Sequence, residues 1–324
     1  MVKTKIPVYV YLTCFLIGLT MASMGQEIGR PKLLKLPFAF SRRDRGEPME
    51  NTPVLFDSRL LLVANYRPSG GDTVKAKDSY LYIDDLRTGQ EVIRFGAAHS
   101  FVSAFVNATE LNVFALDFSE SGDAWKSNGI DRFVTNDLKN WKTEKVILPE
   151  PGENLFNTSV CLDDKGFIMA YESNKPVQFC FKFARSNDLS KWEKISGLAF
   201  TGVKNEYSAC PVIRYFKPFY YVIYLHAPVK GHNGWISYMS RSKDLVDWEL
   251  SPFNPILEAG AGEGKNNSDT DILEYEGKTY IYYATGDQAT WATIRIAMYD
   301  GSMKTFFEKH FPAGKTFERI STKH

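Results

Sequence analysis

Three copies of one short phrase constrain this chain more than any other feature. They read NDLKNW at Asn136–Trp141, NDLSKW at Asn187–Trp192 and KDLVDW at Lys243–Trp248. Each follows an apolar, strand-like run. Weaker echoes around Asp85 (DDLRTGQEV) and Asp300 (MYDGSMKTF) extend the series, so that Asp85, Asp137, Asp188, Asp244 and Asp300 are spaced by 52, 51, 56 and 56 residues. A constant period of this size means one supersecondary unit repeated along the chain. The phrase has a local physical reason. Asp bonds the backbone two residues on and closes a tight turn. Leu and Trp then lie on one side of that turn and plug the gap to the neighbouring unit. The phrase is scaffold and carries no chemistry.

The unit itself is all strand. Runs at 50–63, 99–116, 156–172, 208–225 and 268–284 each consist of an apolar stretch, a polar hairpin and a second, aromatic-rich stretch. The hairpin tips carry Asp57-Ser58, Asn107-Ala108, Asp163 to Gly166, Phe216-Lys217-Pro218 and Glu276-Gly277-Lys278, which is turn chemistry. Each unit thus reads as strand 1, hairpin, strand 2, longer loop, strand 3, DLxxW turn, strand 4. Four antiparallel strands repeated radially make a propeller blade. The predicted fold is all-β, a single five-bladed β-propeller of four-stranded antiparallel blades. No helical periodicity of useful length is present, and no linker marks a second domain.

Residues 1–25 read as a cleaved signal peptide: Lys3 and Lys5, an apolar run from Ile6 to Ala22, then small residues before Gln26. Cys14 invites a lipoprotein reading, but the apolar run continues past it. The expected propeller therefore spans 26–324, exported to the periplasm or secreted, and free of the membrane once the leader is removed. Residues 26–47 read as a basic lead-in. A net charge of +1 without charged blocks argues against nucleic acid or anionic lipid as partner. Cys161, Cys180 and Cys210 all sit in strand-like runs and read as buried core residues rather than a disulfide or a metal site.

Strand direction sorts the remaining residues by face. Hairpins and DLxxW turns share one face. The starts of strand 1 and the loops between strands 2 and 3 share the other. The strand-1 starts supply Glu50, His99, Asn157, Glu206, Asp269 and Asp271. The loops supply Arg67, Trp125, Glu172, His226, His232 and the stretch from Asp287 to Trp291. Carboxylates, histidines and tryptophans thus converge on one funnel. Two carboxyl groups across a glycosidic bond supply acid and base, and aromatic faces stack on a sugar ring. Asp269, Asp271, Glu206 and Glu50 are the candidate catalytic groups. His99, Asn157, Glu172, Trp125, His226 and Trp291 are the candidate substrate contacts.

With these features the chain resembles the five-bladed propeller glycosidases of glycoside hydrolase family 43 and relatives such as families 32, 62 and 117. The resemblance spans about residues 48–315. It implies three carboxylates on the inner strands: an Asp base, a Glu acid and a second Asp that tunes the acid, acting with inversion. The chain departs from that pattern. Thr52-Pro53 stands where the first blade usually opens with Asp-Pro. Ala209-Cys210 precedes Pro211 where the acid Glu usually stands, and the nearest Glu is Glu206. NNSDTDI in the fifth unit is unusually acidic. A divergent branch, nearer to family 117 than to xylosidases, is the expectation.

The resulting expectation is a hydrolase acting on plant or algal oligo- or polysaccharides. Asp269 or Asp271 would be the base and Glu206 or Glu50 the acid, standing roughly 6.5–9.5 Å apart for inversion. No cofactor is required, although a structural calcium at the propeller axis fits the fold class. Two rivals stay open. One is a non-catalytic glycan-binding propeller. The other is a phosphorylase, for which Arg42, Arg43, Arg45 and Arg67 are the clustered cations.

Overall fold

The computed structural model describes residues 29–40, 48–67, 76–120, 126–202, 207–227, 234–288 and 290–322. The leader at 1–25 lies outside them. The first strand, β1 (Leu34–Phe40), precedes the five blades in sequence. Blade 1 is β2 (Asn51–Phe56), β3 (Arg59–Tyr66), β4 (Tyr80–Asp85) and β5 (Glu91–Phe95); blade 2 is β6 (His99–Asn107), β7 (Glu110–Asp117), β8 (Ile130–Thr135) and β9 (Lys142–Ile147). Blade 3 is β10 (Leu155–Asp163), β11 (Gly166–Ser173), β12 (Cys180–Ser186) and β13 (Glu193–Phe200); blade 4 is β14 (Tyr207–Phe216), β15 (Phe219–Ala227), β16 (Ile236–Ser242) and β17 (Asp247–Leu250). Blade 5 contributes β18 (Asn266–Tyr275), β19 (Lys278–Gly286) and β20 (Ala292–Tyr299). A short helix, α1 (Met303–Lys309), and β21 (Arg319–Ser321) follow. The first strands of successive blades lie side by side, and β18 returns to β2, which closes a ring of five.

Ring closure departs from the sequence reading. The fourth strand of blade 5 is β1, antiparallel to β20, so the basic lead-in is in part a structural strand. Joining the two ends of the chain in one sheet locks the circle, a long-range pairing that no local pattern announces. The expected turn after Asp300 leads instead into α1, whose N-cap Ser302 accepts from the Thr305 N–H. Phe306 and Phe307 on α1 are fully buried, and β21 adds a fifth strand to the edge of blade 4.

The repeated phrase does what its chemistry predicts. Asp137, Asp188 and Asp244 each accept two backbone N–H bonds, from the residues two and three positions on. The preceding Thr135, Ser186 and Ser242 hydroxyls accept the N–H of the following Leu. That Leu takes a left-handed conformation in all three copies, with φ of 61°, 66° and 66° at Leu138, Leu189 and Leu245. The turn points each Leu inward and brings the Trp indole N–H back onto the Leu carbonyl. Each Trp meets an aromatic ring of the preceding blade: Trp141 stacks on Phe95, Trp192 packs edge-on to Phe114, and Trp248 stacks on Phe183. Asp85 makes the same turn, accepting from Arg87 and Thr88.

Candidate functional site

The inner strands are irregular where they line the funnel. Pairing shifts between Ser100 and Ser103 in blade 2, between Ala209 and Val212 in blade 4, and between Ser268 and Asp271 in blade 5. At each bulge one residue has positive φ: Phe101 at 56°, Cys210 at 52° and Asp269 at 47°. Non-glycine residues enter this region at a cost, and such strain concentrates at functional sites. A bulge also re-aims a side chain. Here the bulges bring Cys210 and Asp269 into contact across two blades.

Four blades build the floor. Asn157 from blade 3 donates to Glu172 Oε2 over 3.1 Å and to Cys210 Sγ over 3.2 Å. The Cys210 N–H donates to the same Glu172 oxygen over 3.1 Å, and its thiol donates to Asp269 Oδ1 over 3.1 Å. Asp269 Oδ2 accepts from the Ser268 hydroxyl over 2.6 Å and from Gln288 over 2.8 Å. Blade 1 supplies Glu50, which accepts from Asn65 over 3.2 Å and pairs with Arg67 over 2.8 Å. Asn51 donates to the Asp269 carbonyl. Glu50, Glu172 and Asp269 are all buried.

Burial dominates the electrostatics of the floor. It pushes Glu172 up to about 7, against the Asn157 and Cys210 hydrogen bonds and with the help of the Asp269 and Glu50 charges. Burial likewise raises Glu50; Arg67 opposes this and Asp269 adds to it. Burial and the neighbouring carboxylates hold the Cys210 thiol far above its ordinary value, so it is a hydrogen-bond donor and not a thiolate nucleophile. The same causes, burial first, raise the phenol of half-buried Tyr207. An aromatic arc flanks the floor, with contacts running from Phe101 to Phe156, Phe179, Tyr207 and Trp235.

One layer below, Asp271 accepts from Arg214 over 2.6 Å and from its neighbour Ile272 N–H over 2.7 Å. Arg214 also donates to the Ile272 carbonyl and the Ser159 hydroxyl, so it spans blades 3, 4 and 5. Burial pushes Asp271 upward against the pull of Arg214. Ser103 and Thr158 bond each other over 2.7 Å. A calcium ion takes six to eight oxygen ligands. Here three carboxylates, Glu50, Asp269 and Asp271, line the axial cavity. Glu50 and Asp271 already hold guanidinium groups and Asp269 accepts hydrogen bonds at both oxygens, so these residues do not offer a calcium ion a free oxygen shell. Among the described residues no group of three or more His, Cys, Asp or Glu is arranged to hold a metal ion.

The structure thus brings Glu50, Asn157, Glu172 and Asp269 together and sets Asp271 beneath them. His99 is engaged within blade 2, with its ring nitrogens against Asp131 and the Ala97 carbonyl. His226 is buried against Ser208 and the Tyr238 ring. Trp291 is exposed in the loop of blade 5. Glu206, Trp125, His232, Arg42, Arg43 and Arg45 lie outside the described residues. Cys210, read from the sequence as a core residue, is instead half-buried at the site, and Gln288, in the loop stretch assigned to the funnel, joins it on Asp269. The strained φ of Cys210 has no signature in the sequence, and Gln288 is set by a loop.

No family model and no curated relative matches the chain. Solved structures do. A glycoside hydrolase matches with a TM-score of 0.62 at 12% identity, over 83% of this chain and 93% of that one. A thermostable family-43 glycoside hydrolase matches with a TM-score of 0.61 at 12% identity, over 86% and 95%. The β-1,2-mannobiose phosphorylase of Listeria innocua matches with a TM-score of 0.58 at 12% identity, over 81% and 92%. At such identities the likeness is one of fold: the chain shares the five-bladed propeller on which these glycoside-acting enzymes are built.

Proposed function

We propose that the chain is an exported glycoside hydrolase acting on plant or algal oligo- or polysaccharides by an inverting acid/base mechanism. One observation carries this reading: three buried carboxylates from three blades, Glu50, Glu172 and Asp269, meet on one funnel floor. Glu172, held near 7, is the acid that protonates the leaving oxygen. Asp269 accepts hydrogen bonds at both oxygens and is the base that takes a proton from the attacking water. Glu50 adds negative charge opposite a developing oxocarbenium ion. Asp271 braces the axis, where it is paired with Arg214.

A phosphorylase would need an unpaired cationic pocket for phosphate. The two described arginines at the floor and axis, Arg67 and Arg214, are paired with Glu50 and Asp271. The test is to incubate the mature chain with an oligosaccharide panel, with and without phosphate, and to read products by mass. Free sugar released without phosphate supports the hydrolase. Release that requires phosphate identifies a phosphorylase. Binding without release identifies a glycan-binding propeller.

A further inference from the structure

The charge and hydrogen-bond polarity of the floor restrict what can sit on it. Glu50, Glu172 and Asp269 surround the site, with Asp271 beneath. No lysine, arginine or histidine among the described residues lines the small axial cavity bordered by Glu50, Asp269 and Asp271. Arg67 is bonded to Glu50 over 2.8 Å and lies over the Phe101 ring, while Arg214 is bonded to Asp271. Among the described residues the floor therefore has no free cation to offer an anionic substituent.

The hydrogen-bond count points the same way. The Asn51 side-chain N–H groups donate to the Met49 and Asp269 carbonyls, which sets the amide orientation. Its carbonyl oxygen is then buried without a donor. A buried acceptor left without a donor is costly, and this one lies among carboxylates that are acceptors as well. What satisfies such a floor is a ligand rich in donors: hydroxyls, or an ammonium.

We infer that the sugar ring seated on this floor is neutral or cationic, and that uronic, sulfated and phosphorylated sugars are excluded there. The inference rests on the hydrolase reading for its site and adds the substrate class. An anion placed a few ångströms from Asp269, which among the described residues has no cationic partner, in a partly desolvated pocket would bind at least about 100-fold more weakly than its neutral counterpart. Recognition of the substrate at the floor then runs through its hydroxyls, with the aromatic arc receiving its apolar face.

The experiment compares paired glycosides that differ at one carbon, a hexoside and the matching uronide with the same linkage and leaving group. The expected ratio of kcat/KM is at least about 100 in favour of the neutral member. In Glu50→Gln, Arg67 loses its partner and becomes available to an anion, so the ratio should narrow by about tenfold or more even as turnover falls. Equal or faster turnover of the uronide overturns the inference, as does a ratio that Glu50→Gln leaves unchanged. Calorimetric titration of the wild-type chain with a neutral hexose, its 2-amino-2-deoxy analogue and its uronic acid decides the point without catalysis. If no glycoside is cleaved, the hydrolase reading falls. Preferential binding of the neutral and amino sugars would still uphold the charge rule, and binding of the acid with equal affinity would sink it. A chain that binds none of the three overturns both.

Discussion

Glu172 and Asp269 are bridged by a single residue: the Cys210 backbone N–H donates to Glu172 Oε2, and the Cys210 thiol donates to Asp269 Oδ1, each over 3.1 Å. One carboxylate is thus held by main chain and the other by side chain. A substitution at this position acts on the two unequally, which makes the proposed roles separable.

Cys210→Ala keeps the N–H on Glu172 and removes the donor to Asp269. The proposed base loses a donor, so kcat/KM should fall, while the alkaline limb of the pH profile, set by Glu172, should stay in place. Cys210→Ser restores a hydroxyl donor and should return kcat/KM toward wild type. A shift of the alkaline limb in Cys210→Ala would mean that the residue acts through packing instead.

Glu172 must be protonated to act as an acid, so activity should fall as pH rises through about 7. Glu172→Gln should lower kcat by about 10²–10⁴-fold. Its effect on stability has the opposite sign. The folded pKa is raised, so the folded state gains stability from the bound proton below the ordinary carboxylate range and loses it between about 4.5 and 7. Above that window Glu172→Gln should be more stable than wild type by about 3 kcal/mol. Denaturant unfolding at pH 5 and pH 8 reads this difference.

Arg214 and Asp271 form the buried pair beneath the floor. Removing one partner leaves an uncompensated buried charge, and Arg214→Met should cost about 3–5 kcal/mol. Asp271→Asn in that background should recover part of the loss. A chelator should change neither activity nor unfolding. Loss of stability on chelation, restored by calcium, would show that the axis holds an ion after all.

Ring closure through β1 includes an ion pair between Lys35 and Glu263, a buried carboxylate that also accepts from Gly260 N–H and Tyr283 OH. Glu263 has a lowered pKa, with burial opposed by Lys35 and these hydrogen bonds. Its contribution to stability is present above the ordinary Glu range and is lost as pH falls through the lowered value. Lys35→Met should therefore lower Tm at pH 7, and the gap to wild type should close as pH falls below the ordinary Glu range.

The blade-to-blade plugs are graded by burial. Trp248 is fully buried, whereas Trp141 and Trp192 are partly exposed. Trp248→Ala should cost about 3–5 kcal/mol, and Trp141→Ala clearly less. Unfolding in denaturant ranks them. A reversed order would mean that the indole N–H bond outweighs packing.

The sequence by itself determined the blade and its number, because a DLxxW turn is built from contacts between residues two to three apart. It also placed Glu50, Asn157, Glu172 and Asp269 on one face, since strand direction follows from hairpin order. What only the tertiary structure decided lies between blades. Residues 34–40 read as a lead-in because their partner, β20, is more than 250 positions away. Glu172 read as a substrate contact, and its company with Asp269 depends on the bulge at Cys210, where positive φ turns one strand toward the next. His99 and His226 share the funnel-facing pattern, yet burial gave each a hydrogen-bond partner within its own blade. Local bonding is legible along the chain. Pairings across the axis depend on backbone strain and burial, which have no period to read.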